Sequence, residues 1–121
     1  MRTKVNSFID SVQPVSEISS RSKPINITDD QAFDQAAELL KTLAHPLRIR
    51  LILLLANKRS MNVSALQRRL KVDQTTLSYQ LTRMRNRGLL ESVRQGKEIH
   101  YSLADSALGE LMRLVLIRET V

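Results

Sequence analysis

Residues 74–90 concentrate side chains that can hydrogen-bond to, or neutralise, an anionic polymer. They include three arginines and no aspartate or glutamate, whereas an ordinary solvent-facing helix usually mixes both charges in i,i+4 pairs. Glutamine can bridge the edge of an adenine, threonine can contact a thymine methyl group, and arginine can bind guanine or phosphate. The residues predicted to face outward and contact nucleic acid are Gln74, Thr75, Thr76, Ser78, Tyr79, Gln80, Arg83 and Arg87.

A second basic feature follows this stretch. Arg94 and Lys97 flank Gly96 between two short β-type runs, a pattern that predicts a hairpin with a basic tip. Such a tip can lie against the phosphate backbone or in the minor groove of DNA. Residues 66–97 contain eight lysines and arginines against two acids, and therefore carry most of the net charge of +7.

Several other chemistries are poorly supported. The chain has no cysteine, which excludes disulfides, thiolate metal sites and thiol redox sensing. Its two histidines, His45 and His100, fall short of the three or four ligands that a transition metal needs. There is no glycine-rich phosphate loop and no plausible His–carboxylate–Ser group. We therefore expect no metal, no cofactor and no enzymatic activity.

The bulk composition indicates a small helical protein. The 121 residues suffice for one domain, and an aromatic content of 3% leaves the core to Leu, Ile, Val and Ala, which favours helices. No apolar run approaches the roughly 20 residues of a membrane span, and the N-terminus lacks the apolar stretch of a signal peptide. We therefore expect a cytoplasmic protein with no membrane partner.

Capping signals predict where the helices begin and end. Thr28 begins a capping box, Pro46 suits a first helical turn, and Asn62 and Asp73 are suitable N-caps. Gly88 suits the position just after a helix. The predicted helices are residues 29–43, 46–56, 63–70 and 74–87, and a last helix beginning near Ser102 or Asp105; the predicted strands are residues 89–93 and 99–103.

The third and fourth predicted helices are joined by a tight turn, which is the layout of a helix-turn-helix motif. The predicted fold is mainly α with a small β-hairpin (α+β), a winged helix-turn-helix with four helices, a hairpin and a fifth helix. We expect residues 29–121 to form the DNA-binding and dimerisation domain and the polar residues 1–28 to form a flexible arm. Val5, Phe8, Ile9 and Val12 have helical spacing, so a short extra helix in the arm is an alternative.

Five segments between residues 36 and 111 together form a specific pattern. They are residues 43–51 (LAHPLRIRL), 63–66 (VSAL), 73–81 (DQTTLSYQL), 83–90 (RMRNRGLL) and 96–103 (GKEIHYSL). In these segments the chain resembles the ArsR/SmtB family of winged-helix repressors. The resemblance implies a homodimer formed by the first and last helices, and a repressor that leaves double-stranded DNA when an inducer binds. The expected interface residues are Phe33, Leu40, Leu108, Leu111 and Val115.

The chain departs from this family at the sensing positions. Members that sense metals through thiolates carry them at the third helix, where residues 60–62 are Ser, Met and Asn. A second site type uses histidine and carboxylate ligands on the last helix. There Asp105 remains, but Ala107, Arg118 and Val121 occupy the other positions. The usual inducer chemistry is therefore not expected, and the inducer, the operator and the sign of regulation stay open.

Two other kinds of function are less well supported by the sequence than DNA binding. A sequence-specific RNA-binding module usually stacks bases on aromatic residues, and this chain has two Tyr, two Phe and no Trp. A protein-interaction module that retains the winged helix without specific DNA binding is the main alternative. The basic charge of residues 66–97 argues against it.

Overall fold

The computed structural model describes residues 24–120, with side chains through Ile117. Five helices and three strands lie within this range. They are α1 (Asp30–Leu43), α2 (Pro46–Lys58), β1 (Met61–Asn62), α3 (Val63–Leu70), α4 (Gln74–Asn86), β2 (Leu90–Gln95), β3 (Glu98–Leu103) and α5 (Ala107–Thr120). The predicted α+β winged helix-turn-helix is confirmed. The alternative helix over residues 5–12 and most of the expected arm lie outside the described residues.

Helix α2 is the centre of the core. It is apolar nearly all round, and Leu51, Ile52 and Leu55 are fully buried against α5 and β3. Helix α4 buries Leu77, Leu81 and Met84 against this core. Because these three residues recur at i, i+4 and i+7, they form one stripe, which leaves the opposite face of α4 to solvent.

The sheet has three antiparallel strands in the order β1-β3-β2. Gln95 pairs with Glu98 at the hairpin tip, where Gly96 has a φ of +64°, a left-handed conformation that glycine adopts without strain. Strand β1 was not predicted. It pairs Met61 with Tyr101, and its two residues are too few to show a period of two.

Three helix ends differ from the expected positions. The N-cap of α1 is Asp29, which accepts the Ala32 N–H at 3.2 Å, whereas both Thr28 donors bond to Asn26. Helix α2 extends to Lys58, two residues further than expected. Helix α5 begins at Ala107, because Ser102 still pairs in the sheet. The end of α4 matches its prediction: Gly88, at a φ of +78°, follows the C-cap.

The crossing of α2 and α5 depends on Gly109. A Cβ at this position would lie 2.6 Å from the Ala56 Cβ. Gly109→Ala is therefore expected to lower the free energy of unfolding by about 1–3 kcal/mol through overpacking, even though alanine is the better helix former. Urea denaturation followed by circular dichroism measures this change.

The matched control moves the methyl group to the other helix. In an Ala56→Gly background, Gly109→Ala should cost about 1 kcal/mol less than in the wild-type background, because the two methyl groups no longer meet. If the changes in the free energy of unfolding caused by Ala56→Gly and by Gly109→Ala simply add in the double variant, the close contact between the two positions is contradicted.

Candidate nucleic-acid interface

The turn between α3 and α4 sets the start of the predicted recognition helix, α4. Lys71 has a left-handed φ of +55°, and Asp73 caps α4. The Asp73 carboxylate accepts the Thr76 backbone N–H at 2.9 Å and the Thr76 hydroxyl at 2.7 Å. These bonds fix the first turn of α4, where Gln74, Thr75 and Thr76 are all exposed.

The same hydrogen bonds predict a response to acid. They hold the pKa of Asp73 below its ordinary value of 3.8, mainly through the Thr76 backbone N–H. Because the folded-state pKa is depressed, the stabilisation is complete above the unfolded-state pKa and is lost as the pH falls through the folded-state pKa. We expect the first turn of α4 to fray in this acidic window, which NMR titration of the Thr76 amide and the Asp73 carboxyl measures.

Asp73→Asn supplies the control for this titration. Asparagine keeps an oxygen acceptor for the N-cap but does not ionise in this range. The variant should therefore lose the acid-dependent change at Thr76 while retaining the helix. An Asp73 carboxyl that titrates at or above its ordinary pKa would contradict the prediction.

Tyr79 and Arg83 lie one turn apart on the exposed side of α4 and contact each other. The Arg83 guanidinium carbon lies 5.4 Å from the centre of the Tyr79 ring, and Arg83 Nη1 donates to the Tyr79 hydroxyl at 3.3 Å. A cation over an aromatic face gains some electrostatic stabilisation and restricts the rotamers of both side chains. Arg83 therefore has a preferred orientation on the outer surface of α4.

Gln80 does not occupy the outward face on which it was expected. Its exposed fraction is 7%, and its Oε1 accepts a 2.7 Å hydrogen bond from Arg48 Nε. Gln80 lies three residues after Leu77 and four before Met84, so it shares their buried face. The polar amide is accommodated there because Arg48 reaches it from α2. An arginine in this largely apolar helix was the available sequence signal.

Arg48 and Thr42 link α4 to the end of α1. Arg48 Nη1 donates to the Thr42 carbonyl at 2.7 Å, and the Thr42 hydroxyl donates to the Glu38 carbonyl at 2.9 Å. Burial, with the positive charges of Arg83 and Arg87, lowers the pKa of Arg48 from its ordinary value.

Arg87 belongs to the same network. Its Nη1 lies 3.3 Å from the Thr42 hydroxyl and 3.9 Å from Glu38 Oε1. Arg87 is exposed, as predicted, but its guanidinium lies against α1 rather than extending from the outer face of α4.

The hairpin between β2 and β3 forms the wing and places Arg94 and Lys97 at its exposed tip. Arg94 Nε donates to the Gly96 carbonyl at 3.1 Å. A groove of about 440 Å³ separates the wing from α4 and is bordered by Gln74, Ser78 and Lys97. Arg85 also borders this groove and was not predicted. The alternating arginines at positions 83, 85 and 87 could have indicated it.

The expected dimer-interface residues fall into two groups. Leu40 and Val115 are 58% and 46% exposed, and Phe33 is also exposed. Leu108 is 5% exposed and belongs to the core of its own chain, while Leu111 is half-buried against that core. Leu108 is placed inward because the first turns of α5 pack on α2. The exposed apolar surface of α5 instead begins at Leu114, which was not predicted.

The histidines have local contacts. His45 is the N-cap of α2, and its Nδ1 accepts the Leu47 N–H at 3.2 Å. His100 Nε2 lies 3.3 Å from Glu98 Oε1 on the same strand. Among the side chains described, those of residues 24–117, no group of three His, Cys, Asp or Glu residues is arranged to hold a metal ion. No helix in the described part of the chain is long and apolar enough to span a membrane.

A helix-turn-helix followed by a basic hairpin is the architecture of winged-helix transcriptional regulators. The comparisons agree with this class. A family model described as a helix-turn-helix domain matches residues 43–93, from the end of α1 into β2. The transcriptional repressor PagR of Bacillus anthracis is 36% identical over 84 residues, covering 69% of this chain and 84% of PagR. Its crystal structure superposes with a TM-score of 0.64 and covers 72% of this chain and 99% of that one.

Two further relatives extend this similarity. The SmtB homolog of Synechocystis, a transcriptional repressor, is 38% identical over 86 residues, covering 71% of this chain and 64% of that protein. The crystal structure of the repressor BigR from Xylella fastidiosa has a TM-score of 0.67 at 32% identity and covers 75% of this chain and 93% of that one. This chain belongs to the ArsR/SmtB family of winged-helix transcriptional repressors.

Proposed function

We propose that this protein is a dimeric repressor that binds specific operator sequences in double-stranded DNA. We further propose that it lacks the family's usual thiolate and His–carboxylate metal sites. The observation that carries the proposal is the exposed, acid-free surface of α4 beside the basic tip of the wing. A surface of this shape and charge suits a DNA major groove and its flanking phosphates.

In the proposed complex, α4 enters the major groove with its N-terminal end first. Gln74, Thr75 and Thr76 then face base edges. Tyr79 and Arg83 extend this surface by one turn. Ser78 borders the groove between α4 and the wing, and Arg94 and Lys97 would contact the backbone. Gln80 contributes indirectly, because its side chain is buried against Arg48.

A second copy of the chain is proposed to cover the exposed apolar residues of α1 and α5. Helix α1 has little contact with its own chain before Leu39: residues 30–38 are all exposed. Phe33, Leu40, Leu114 and Val115 present large apolar side chains to solvent in the single chain. A two-fold dimer through these helices would present two recognition helices to half-sites about one DNA turn apart.

Leu40→Glu is expected to break this dimer, because two carboxylates would enter an apolar interface. Sedimentation velocity at micromolar concentration should show a monomer, with far-UV circular dichroism showing that the fold is retained. Ile27→Glu is the matched control, since Ile27 is also a large exposed apolar residue, 79% exposed, but precedes α1. A Leu40→Glu protein that sediments as the wild type would place the interface elsewhere.

The proposed lack of the family's metal sites also has support in the structure. Residues 60–62 contain no thiolate, and Asn62 caps α3 by accepting the Ala65 N–H at 2.8 Å. Asp105, which remains at a family ligand position, is buried and accepts the Ala107 N–H at 2.9 Å. Asp105 therefore serves as a helix cap.

The experiment that tests the proposed function is fluorescence anisotropy over a salt series. DNA from upstream of the coding region is compared with a shuffled duplex of the same composition. Tighter binding to the upstream fragment, with a log–log salt slope of about −0.9 per phosphate contact, is the expected result. Absence of binding to either duplex would favour the protein-interaction alternative.

A further inference from the structure

A cluster of positive charge lies on the side of α4 that faces away from the wing. Tyr79, Arg83 and Arg87 recur every four residues, so they form one stripe along α4 and its C-cap. Arg48 reaches the same side of the helix from α2, through its hydrogen bond to Gln80. The α4 residues that border the groove beside the wing form a different stripe: Gln74, Ser78, Leu81, Thr82 and Arg85.

The Arg48 and Arg87 guanidinium groups converge on a single residue of α1. Arg48 Nη1 donates to the Thr42 carbonyl at 2.7 Å, and Arg87 Nη1 donates to the Thr42 hydroxyl at 3.3 Å. Arg83 and Arg87 are four residues apart on one helix, a spacing at which like charges repel each other. Burial, and then the positive charges of Arg83 and Arg87, lower the pKa of Arg48. The three guanidinium groups therefore lie near enough to repel one another in the protein by itself.

The surrounding carboxylates do not neutralise this cluster. Glu38 Oε1 lies 3.9 Å from Arg87, but Glu38 Oε2 also lies 3.7 Å from Lys41. Among the described side chains, neither Arg48 nor Arg83 forms an ion pair with a carboxylate. The charged groups of this region, with the adjoining cavity included, are Asp34 and Glu38 on the negative side and Lys41, Arg48, Arg83 and Arg87 on the positive side. The region therefore keeps an excess of positive charge, which favours an anionic partner.

Donor groups in this cluster are available to such a partner. The Arg48 Nε and Nη1 groups donate to Gln80 and Thr42, whereas Nη2 makes no hydrogen bond with any described residue and is not shielded from solvent. The Tyr79 hydroxyl accepts from Arg83 Nη1 at 3.3 Å, which leaves its own O–H as a donor. Tyr79 and Arg83 are both exposed. A phosphate group supplies the negative charge and the acceptor oxygens that these donors require.

We propose that Arg48, Tyr79 and Arg83 bind a backbone phosphate of the DNA strand that lies on the side of α4 away from the wing. The site rests on the proposed DNA-binding function and extends the interface from α4 and the wing to α2. A helix about 10–12 Å across fills a major groove about 12 Å wide, so the phosphates of the two strands flank it. The wing then contacts one strand, and Arg48 contacts the other. Because phosphate contacts fix the orientation of a protein on the duplex, this contact aligns α4 in the groove.

The salt dependence of binding to a shuffled duplex tests the site, because non-specific binding depends on phosphate contacts and not on base readout. Arg48→Leu/Gln80→Leu removes the cation and replaces both members of the buried pair with apolar side chains. Its log–log salt slope should be flatter than that of the wild type by about 0.9 for each bound subunit. Arg50→Leu removes the same charge from an exposed position on α2 and should leave the slope unchanged. An unchanged slope in the double variant, or an equal decrease in Arg50→Leu, would overturn the site.

NMR titration of the full-length, ¹⁵N-labelled wild-type protein gives a test that needs no variant. The shuffled duplex at low salt should shift the Arg48 Nε–H resonance in a saturable manner and leave that of Arg50 in place. Inorganic phosphate at the same phosphate concentration should give no saturable shift, because it lacks the other contacts of α4 and the wing.

The outcomes of this titration separate the site from the proposed function. Saturable binding of inorganic phosphate equal to that of the duplex would identify a free-anion site and overturn the assignment to the DNA backbone. Bound duplex with no shift at Arg48 would overturn this site alone. Failure to bind DNA at all would contradict the proposed repressor function, and the site with it.

Discussion

Replacing Arg83 and Arg94 together with alanine is expected to weaken binding to operator DNA at least about 100-fold, because the proposed dimer would lose four cations from its proposed DNA-binding surface. Arg83 lies on the exposed side of α4 beside Tyr79, and Arg94 lies at the wing tip. The log–log salt slope should also fall by about 0.9 for every phosphate that the variant no longer neutralises. The variant should therefore show a flatter salt dependence as well as a lower affinity.

Lys58→Ala/Arg113→Ala is the matched control for net charge. Both residues are exposed, and neither lies on α4 or the wing. This control should lose little affinity for operator DNA, because it removes only long-range attraction, which salt largely screens. Equal losses in the two double variants would show that overall charge, rather than this surface, governs binding. Full binding by the Arg83→Ala/Arg94→Ala protein would favour the protein-interaction alternative.

The limits of the recognition helix could be predicted because the signals that set them are local. Asp73 caps α4 by accepting the N–H of Thr76, three positions later, and Gly88 follows the helix in a left-handed conformation. The buried stripe of Leu77, Leu81 and Met84 follows from the helical period alone. All of these signals lie within α4 or next to it in the sequence, so they can be identified without knowing any distant contact.

Features that depend on distant contacts were less predictable. Gln80 is polar, and its burial depends on Arg48, which is 32 positions earlier in the chain. Leu108 and Val115 are both apolar residues of α5, and the helical period does not show which of them its own chain covers. The close approach of Gly109 to Ala56 decides this, because it presses the first turns of α5 against α2.

The second large effect is expected at Arg48, because one guanidinium there bonds to both α1 and the recognition helix. Arg48→Ala removes 2.7 Å hydrogen bonds to the Gln80 amide and the Thr42 carbonyl. Leaving buried acceptors unpaired should lower the free energy of unfolding by about 1–3 kcal/mol. Arg48→Lys should recover little of the lost free energy of unfolding, since an ammonium group cannot reproduce the planar set of guanidinium donors. Urea denaturation measures both changes.

Arg50→Ala is the control for this substitution, because Arg50 is exposed on the same helix. It should change the free energy of unfolding by less than about 0.5 kcal/mol. Equal destabilisation by Arg48→Ala and Arg50→Ala would contradict the role assigned to the Arg48 hydrogen bonds.

The double variant Arg48→Leu/Gln80→Leu separates stability from positioning. Replacing both partners with apolar side chains removes the Arg48–Gln80 pair, so much of the stability should return. The polar link between α1 and α4 would still be missing, and we expect the ratio of operator to shuffled-DNA affinity to stay below the wild-type value. Recovery of both stability and discrimination would mean that packing alone positions α4. Recovery of stability alone would identify Arg48 as the residue that holds the recognition helix in its reading position.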